Sequence, residues 1–267
     1  MQTFSKLLLL LTFFISNCTS QKTTPTKPKA DIEVFLKSGY AKWNVSDSLA
    51  PLLPILDSIF LDDQRFRSAY DNRLFLKNFE QQRYLDSINT IKLKAIMAQY
   101  GWLSIKQIGF RTGLLMNTMQ HIRPFSEREY FLNILLSGYA KGTLPTSGMF
   151  KYIDRYLTIL KEQQLFGTEL FEVGNRKADG VDDIYPIFQP EKLEERWKKY
   201  GSGIFTYTGF IKGTYSIKWD AKEHLQFVEE NAKSLKVNLD STTQIIRMLH
   251  LLDSCKALMG KNNTNLH

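Results

Sequence analysis

Apolar residues recur along most of this chain at intervals of three and four, the period of amphipathic helices. Leu52, Leu53, Leu56, Ile59 and Phe60 set that pattern over 49–70. Pro51 and Pro54 place the start of this helix at or just after them, because proline is tolerated in a first turn and not later. A second helix is predicted over 81–100 from Leu85, Ile88, Ile91, Leu93, Ile96 and Met97, closed by Gly101. Residues 102–110 read as an irregular connection, and 114–122 as a helix. Ser126-Glu127-Arg128-Glu129 reads as a capping box ahead of Tyr130, Phe131, Ile134 and Leu135, in a helix that stops at Gly142. Phe150, Ile153, Leu157 and Leu160 form the buried stripe of a helix over 146–163.

The texture then changes. Two short β-like pieces flank the turn-rich run 174–180, which predicts a β-hairpin or a long ordered loop between 165 and 187. A short charged helix follows over 190–200. Residues 203–219 are aromatic and β-branched and read as one or two strands. Helices over 221–235 and 241–259 complete the chain. The expected fold is mainly α, a multi-helix domain over 31–201 with a small β-hairpin element. An α/β extension over 202–267, largely helical, ends the chain.

The first residues have a different layout. Lys6 precedes a compact apolar run, Leu7 to Ile15, that is too short for the roughly 20 residues a bilayer requires. It leads into Ile15-Ser16-Asn17-Cys18, which resembles the lipobox of bacterial lipoproteins. That resemblance implies a signal peptide over 1–17 and a lipid on Cys18. Residues 19–30 are small, polar, proline or lysine, with nothing to bury, so 18–30 is read as a lipidated flexible tether. Thr19 follows the cysteine where aspartate would retain a lipoprotein in an inner membrane. The expected location is therefore the cell envelope, in the outer membrane if the host has one.

Charge changes this picture little. The formal net charge is +8, but Lys6, Lys22, Lys27 and Lys29 lie in the leader and tether. Setting those four aside from 35 basic residues leaves 31 against 27 acidic ones, interspersed with them. This argues against nucleic acid as a partner and for a mixed solvated surface, with a tether attracted to anionic headgroups. Cys18 and Cys255 are the only cysteines, so no disulfide framework holds the fold.

Five short motifs occur in order: Asp63-Gln64-x-x-Arg67, Gly101-Trp102, Gln120-His121, Asp154-Arg155 and Gln164-x-Phe166-Gly167-Thr168. Pro186-Ile187, Glu195-Arg196 and Gly201 continue the set. Together they resemble a widespread bacterial domain-of-unknown-function family with the pattern DQxxR, YGWP, QH, DR and QxYGTQ. The resemblance spans about 49–201 and implies a fold and candidate residues, but no reaction. Leu103, Phe166 and Glu169 depart from the pattern, and Glu169 adds a carboxylate where glutamine is usual.

The candidate chemistry follows from those positions. His121 is the one histidine in the family-like region, and imidazole moves protons near neutral pH. Asp63 or Asp154 would orient it. Gln64, Arg67, Gln120, Arg155 and Thr168 are the candidate ligand-binding residues, and Thr168 as a nucleophile requires an adjacent base. Each also has a structural reading. Asp63 and Arg67 can pair at i,i+4, Asp154-Arg155 can fix helix register, and His121 can sit at the edge of an apolar stripe. The aromatic run from Trp197 to Trp219 reads as core, with a sugar or peptide groove as the alternative. The chain carries no zinc spacing, P-loop, HExxH or GxSxG, and Asp179, Asp182 and Asp183 lack EF-hand order. No metal and no cofactor are therefore assigned. Two function classes remain open. One is a membrane-tethered envelope lipoprotein that binds an envelope protein or a small ligand. The other is an envelope hydrolase or transferase centred on His121, Asp63 and Asp154.

Overall fold

The computed structural model describes residues 45, 47–67, 78–170, 183–201, 206–215, 217–231 and 234–264. The leader, Cys18, the tether and the turn-rich run 174–180 lie outside the described residues. Ten α-helices are present among the described residues. They are α1 (Leu53–Gln64), α2 (Phe79–Tyr100), α3 (Ile105–Ile108), α4 (Arg111–Met119) and α5 (Phe125–Ala140). After these come α6 (Thr146–Ile159), α7 (Leu193–Tyr200), α8 (Tyr207–Tyr215), α9 (Ala221–Asn231) and α10 (Thr243–Thr264). Short 3-10 turns at Ala50–Leu52 and Pro190–Lys192 lead into α1 and α7. The chain is mainly helical, and no helix among the described residues is long and apolar enough to cross a membrane.

The chain divides into two compact units. The first comprises Met1–Gly101 with Ile108–Arg111, and the second Trp102–Gln107 with Thr112–His267. In the first, α1 packs along α2, and Leu56, Ile59, Leu93 and Ile96 of the two helices are buried. Pro54 occupies the first turn of α1, and Gly101 caps α2 at φ 65°, a conformation glycine adopts without steric cost. The buried face of α2 differs from the expected stripe. Ile91 is 59% exposed, while Gln82, Asp86, Asn89 and Thr90 are buried. These polar groups are bonded: Asn89 Nδ2 donates to the Ile59 carbonyl at 3.0 Å, and Thr90 Oγ1 to that of Asp86 at 2.7 Å. A polar face provided with partners for most of its groups can be buried like an apolar one, and periodicity alone does not see it; Asn89 Oδ1 is the buried atom there that has none.

In the second unit α5 packs on α6, and α10 packs on both. Ser126 does not cap α5. Pro124 is the N-cap residue, extended at ψ 126° and without a side-chain cap bond, so the helix opens one residue before that serine. No strand forms among the described residues. The expected hairpin is not among them; two isolated bridges stand in that region, Gln164 with Ile187 in parallel and Leu170 with Ile184 antiparallel. The strands expected over 203–219 are also absent there, and Tyr207–Tyr215 is helix α8. Its aromatic residues are satisfied by packing against α7 and not by a cross-strand neighbour. Trp197 meets Phe210 at 5.1 Å between ring centroids, and Tyr207 meets Trp219 edge-on at 4.9 Å. With Phe150 and Phe166 stacked at 3.7 Å and Trp197 edge-on to Phe150 at 5.0 Å, these rings form one aromatic cluster, buried except at Phe210 and Trp219, which are half-buried.

Candidate functional site

The residues of the QxFGT motif close a loop in which side chains serve nearly every backbone polar group. Asp154, on the buried side of α6, is wholly inaccessible. Its Oδ1 accepts the N–H groups of Leu165 (2.8 Å) and Phe166 (2.9 Å). Its Oδ2 accepts the Thr168 N–H (2.8 Å) and the Thr168 hydroxyl (2.7 Å). Gln164 Nε2 donates to the carbonyls of Glu169 and Tyr185, and Gln164 Oε1 accepts the Glu169 N–H. Arg196 Nε donates to the Leu165 carbonyl, Trp197 Nε1 to that of Phe166, and the Tyr207 hydroxyl to that of Gly167. Buried backbone groups must be paired, and an irregular loop has no ladder to pair them, so side chains take over. Gly167 stands at φ 69°, and a β-carbon there would lie 2.7 Å from the Tyr207 ring.

Burial pushes the Asp154 carboxyl up to about 6, while the bonds from Thr168, Phe166 and Leu165 pull it back down. Four donors face its two oxygens, the arrangement that suits an ionised carboxylate. Its lone-pair directions are all occupied by donors, which leaves none for an imidazole. Thr168 spends its hydroxyl proton on the same carboxylate.

Beside this loop lies a second polar group. Arg155 donates through Nε (2.9 Å) and Nη2 (2.7 Å) to Oε2 of Glu169. Oε1 of Glu169 is buried and accepts no protein hydrogen bond. Arg128 projects from α5 with only 3% of its surface exposed. Its Nη2 donates to the Gln120 carbonyl at 2.9 Å, while Nε and Nη1 have no acceptor. Burial lowers Arg128 to about 10, with Arg155 and Arg123 acting in the same direction and Tyr152 and Glu169 opposing. His121 is half-buried just past α4, its N–H donating to the Thr118 carbonyl.

The chain matches no protein-family model, no curated protein and no solved structure. Its chemistry has to be read from its own side chains.

Asp63, Gln64 and Arg67 belong to the first unit. Arg67 Nη1 donates to Asp63 Oδ1 at 2.9 Å and Nη2 to Asp86 Oδ2 at 2.6 Å, so one guanidinium joins two buried carboxylates. Gln64 Nε2 donates to Asp63 Oδ2, and Gln82 Nε2 to Asp86 Oδ1. Gln120, His121, Asp154, Arg155 and Thr168 belong to the second unit. There the structure joins Asp154 to Thr168 directly, Gln120 to Arg128, and Arg155 to Glu169.

A cleft of about 320 Å³ opens elsewhere in the second unit, between the outer face of α7 and α10. Lys192, Arg196, Lys199, Tyr200, His250 and Asp253 contribute to its lining, along with Ile246 and Leu249. Lys199 Nζ lies 2.7 Å from Asp253, which also accepts the Tyr200 hydroxyl. None of the residues nominated from sequence lines it. Sequence reasoning also passed over Asp86, Arg128 and Arg196 as site residues. Their signal is a charged residue at the buried register of an amphipathic helix: Arg128 sits one turn before Phe131 and Leu132, and Asp86 one turn after Gln82.

Proposed function

We propose that the chain is an exported cell-envelope lipoprotein, tethered by a lipid on Cys18, whose folded part is a noncatalytic binding module. The apolar leader ending at Cys18 and the polar stretch after it support the placement. The saturation of Asp154 carries the binding-module reading. Of the residues nominated for hydrolysis or transfer, Asp154 and Thr168 are committed to holding a loop, and Asp63 to an ion-pair network. A general base must reach the proton that it removes, and a carboxylate filled by four donors has no capacity left for that.

The same geometry supports kinship with the domain-of-unknown-function family. The DR and QxFGT motifs gain a common reason, since Asp154 and Gln164 hold one loop. The GW motif gains another: Gly101 caps α2, and Trp102 packs so closely on Gly138 that a β-carbon there would lie 2.6 Å from the indole.

Mass spectrometry of the mature N-terminus tests the placement. A diacylglyceryl-modified Cys18 is expected, and Cys18→Ala should release the protein from membranes. An intact Met1 in cytosolic material would overturn it. Turnover of any envelope substrate that disappears in a normally folded His121→Ala variant would overturn the noncatalytic reading.

A further inference from the structure

Arg128 is the one guanidinium among the described residues whose buried Nε and Nη1 both lack an acceptor. Burying a charge without pairing is costly, and a group left in that state is a place where a partner of opposite charge gains most. The orphaned N–H groups number three, one on Nε and two on Nη1. Glu169 Oε1 is a buried acceptor that lacks a donor. Lys151 and Arg155 lie one turn apart on α6 and so share a face. Lys151 makes no hydrogen bond or ion pair among the described residues, and its pKa is lowered chiefly by burial, with Glu169 raising it and Arg155 lowering it. Arg155, 32% exposed at its side chain, links the group to solvent.

We propose that Arg128, Lys151, Arg155 and Glu169 form a binding site for a small protonated oxyanion, monohydrogen phosphate. This rests on the binding-module reading and names its ligand class. Three cations stand against one carboxylate, a surplus of two positive charges that the dianion balances. Its unprotonated oxygens accept from an orphaned N–H of Arg128, whose Nε and Nη1 lie on different edges of the guanidinium, and from Lys151. Its hydroxyl donates to Glu169 Oε1. Sulfate has the same shape and charge but no proton, so it would leave Glu169 Oε1 facing an oxygen. A site with a buried acceptor rejects a ligand that cannot donate to it.

The test is calorimetry and thermal unfolding of the mature lipoprotein in detergent with inorganic phosphate at constant ionic strength. One phosphate should bind per chain. At a concentration a hundredfold above Kd, Tm should rise by about 5–10 °C. Sulfate should bind at least tenfold more weakly, and Glu169→Gln, which can donate to either anion, should erase that preference. Arg128→Gln should abolish binding. If that variant does not fold, Lys151→Met, which removes one of the three cations, should weaken phosphate by about tenfold.

Heats and Tm values no different from those in chloride would overturn the proposal. So would equal affinity for sulfate, or an Arg128→Gln variant that binds as the wild type does. Tighter binding of glycerol phosphate would overturn the free ion in favour of an ester. These failures leave the binding-module reading standing, whereas substrate turnover lost in His121→Ala would remove that reading and leave phosphate affinity untouched.

Discussion

Replacing Asp154 with asparagine keeps the shape of the side chain and removes its charge. The remaining oxygen can still accept from Leu165 and Phe166, which leaves the new amide nitrogen facing Thr168. The threonine hydroxyl can turn and accept, but its backbone N–H cannot. That N–H is then buried without an acceptor, at a cost of about 1–3 kcal/mol, and the two surviving bonds lose charge assistance worth roughly 1 kcal/mol each. Relief from burying a carboxylate offsets part of this, and the net loss expected is about 2–4 kcal/mol. In a unit of this size that lowers Tm by roughly 5–15 °C. Circular dichroism melts and urea titrations of the purified protein measure it. Thr168→Val, which removes only the hydroxyl bond, should cost about 1 kcal/mol. The double variant should lose less than the sum, because both changes act on the same carboxylate oxygen. Melting of Asp154→Asn within about 1 °C of the wild type, or strict additivity in the double variant, would refute the claim that this carboxylate organises the loop.

Arg67→Met takes away the cation shared by Asp63 and Asp86 and should destabilise the first unit by about 3 kcal/mol, seen as faster amide exchange in α1 and α2. Unchanged exchange would show that the network is not structural. Gly167→Ala forces a side chain into a left-handed position against the Tyr207 ring and should cost more than about 2 kcal/mol. Gly113→Ala, where nothing lies within 4 Å of the added carbon, should be neutral or slightly stabilising and serves as its control. Glu129 on α5 pairs with Arg247 of α10 and accepts the Tyr156 hydroxyl at 2.6 Å, and its pKa is lowered chiefly by the bond from Arg247. A depressed carboxyl contributes stability above its unfolded value that is lost as pH falls through its folded one. The stability gap between wild type and Glu129→Gln should therefore be present at pH 7 and close as acid is added below about 4.5. A gap independent of pH would exclude that ion pair as its source.

The helical class of the chain and most helix starts are properties of local sequence. Pro54 and Gly101 act within a turn of their own positions, and the three-four spacing of Leu52, Leu56 and Ile59 or of Phe150, Ile153 and Leu157 reports burial directly. Local rules also have defined failures. Ser126 met the pattern of a cap, yet Pro124 set the helix start. Tyr207 to Tyr215 met the composition of a strand, yet its rings found partners on a neighbouring helix. Aromatic residues follow available contact surface, and composition carries no record of where that surface lies.

The site divides along the same line. Asp63 with Arg67 was legible because the partners are four residues apart in sequence, although α1 ends at Gln64 and Arg67 lies in the turn after it. Asp154 was legible as a candidate but its work was not, because its partners come from a loop 11–14 residues later. Arg128 was hidden altogether, since a charge on a buried face gains meaning only once the burial is known. Sequence by itself determined helix periods, caps and the apolar leader, all set by neighbours a few bonds apart. Tertiary structure alone decided which polar groups were removed from water and which donors met which acceptors, because desolvation depends on every chain segment that closes over a group.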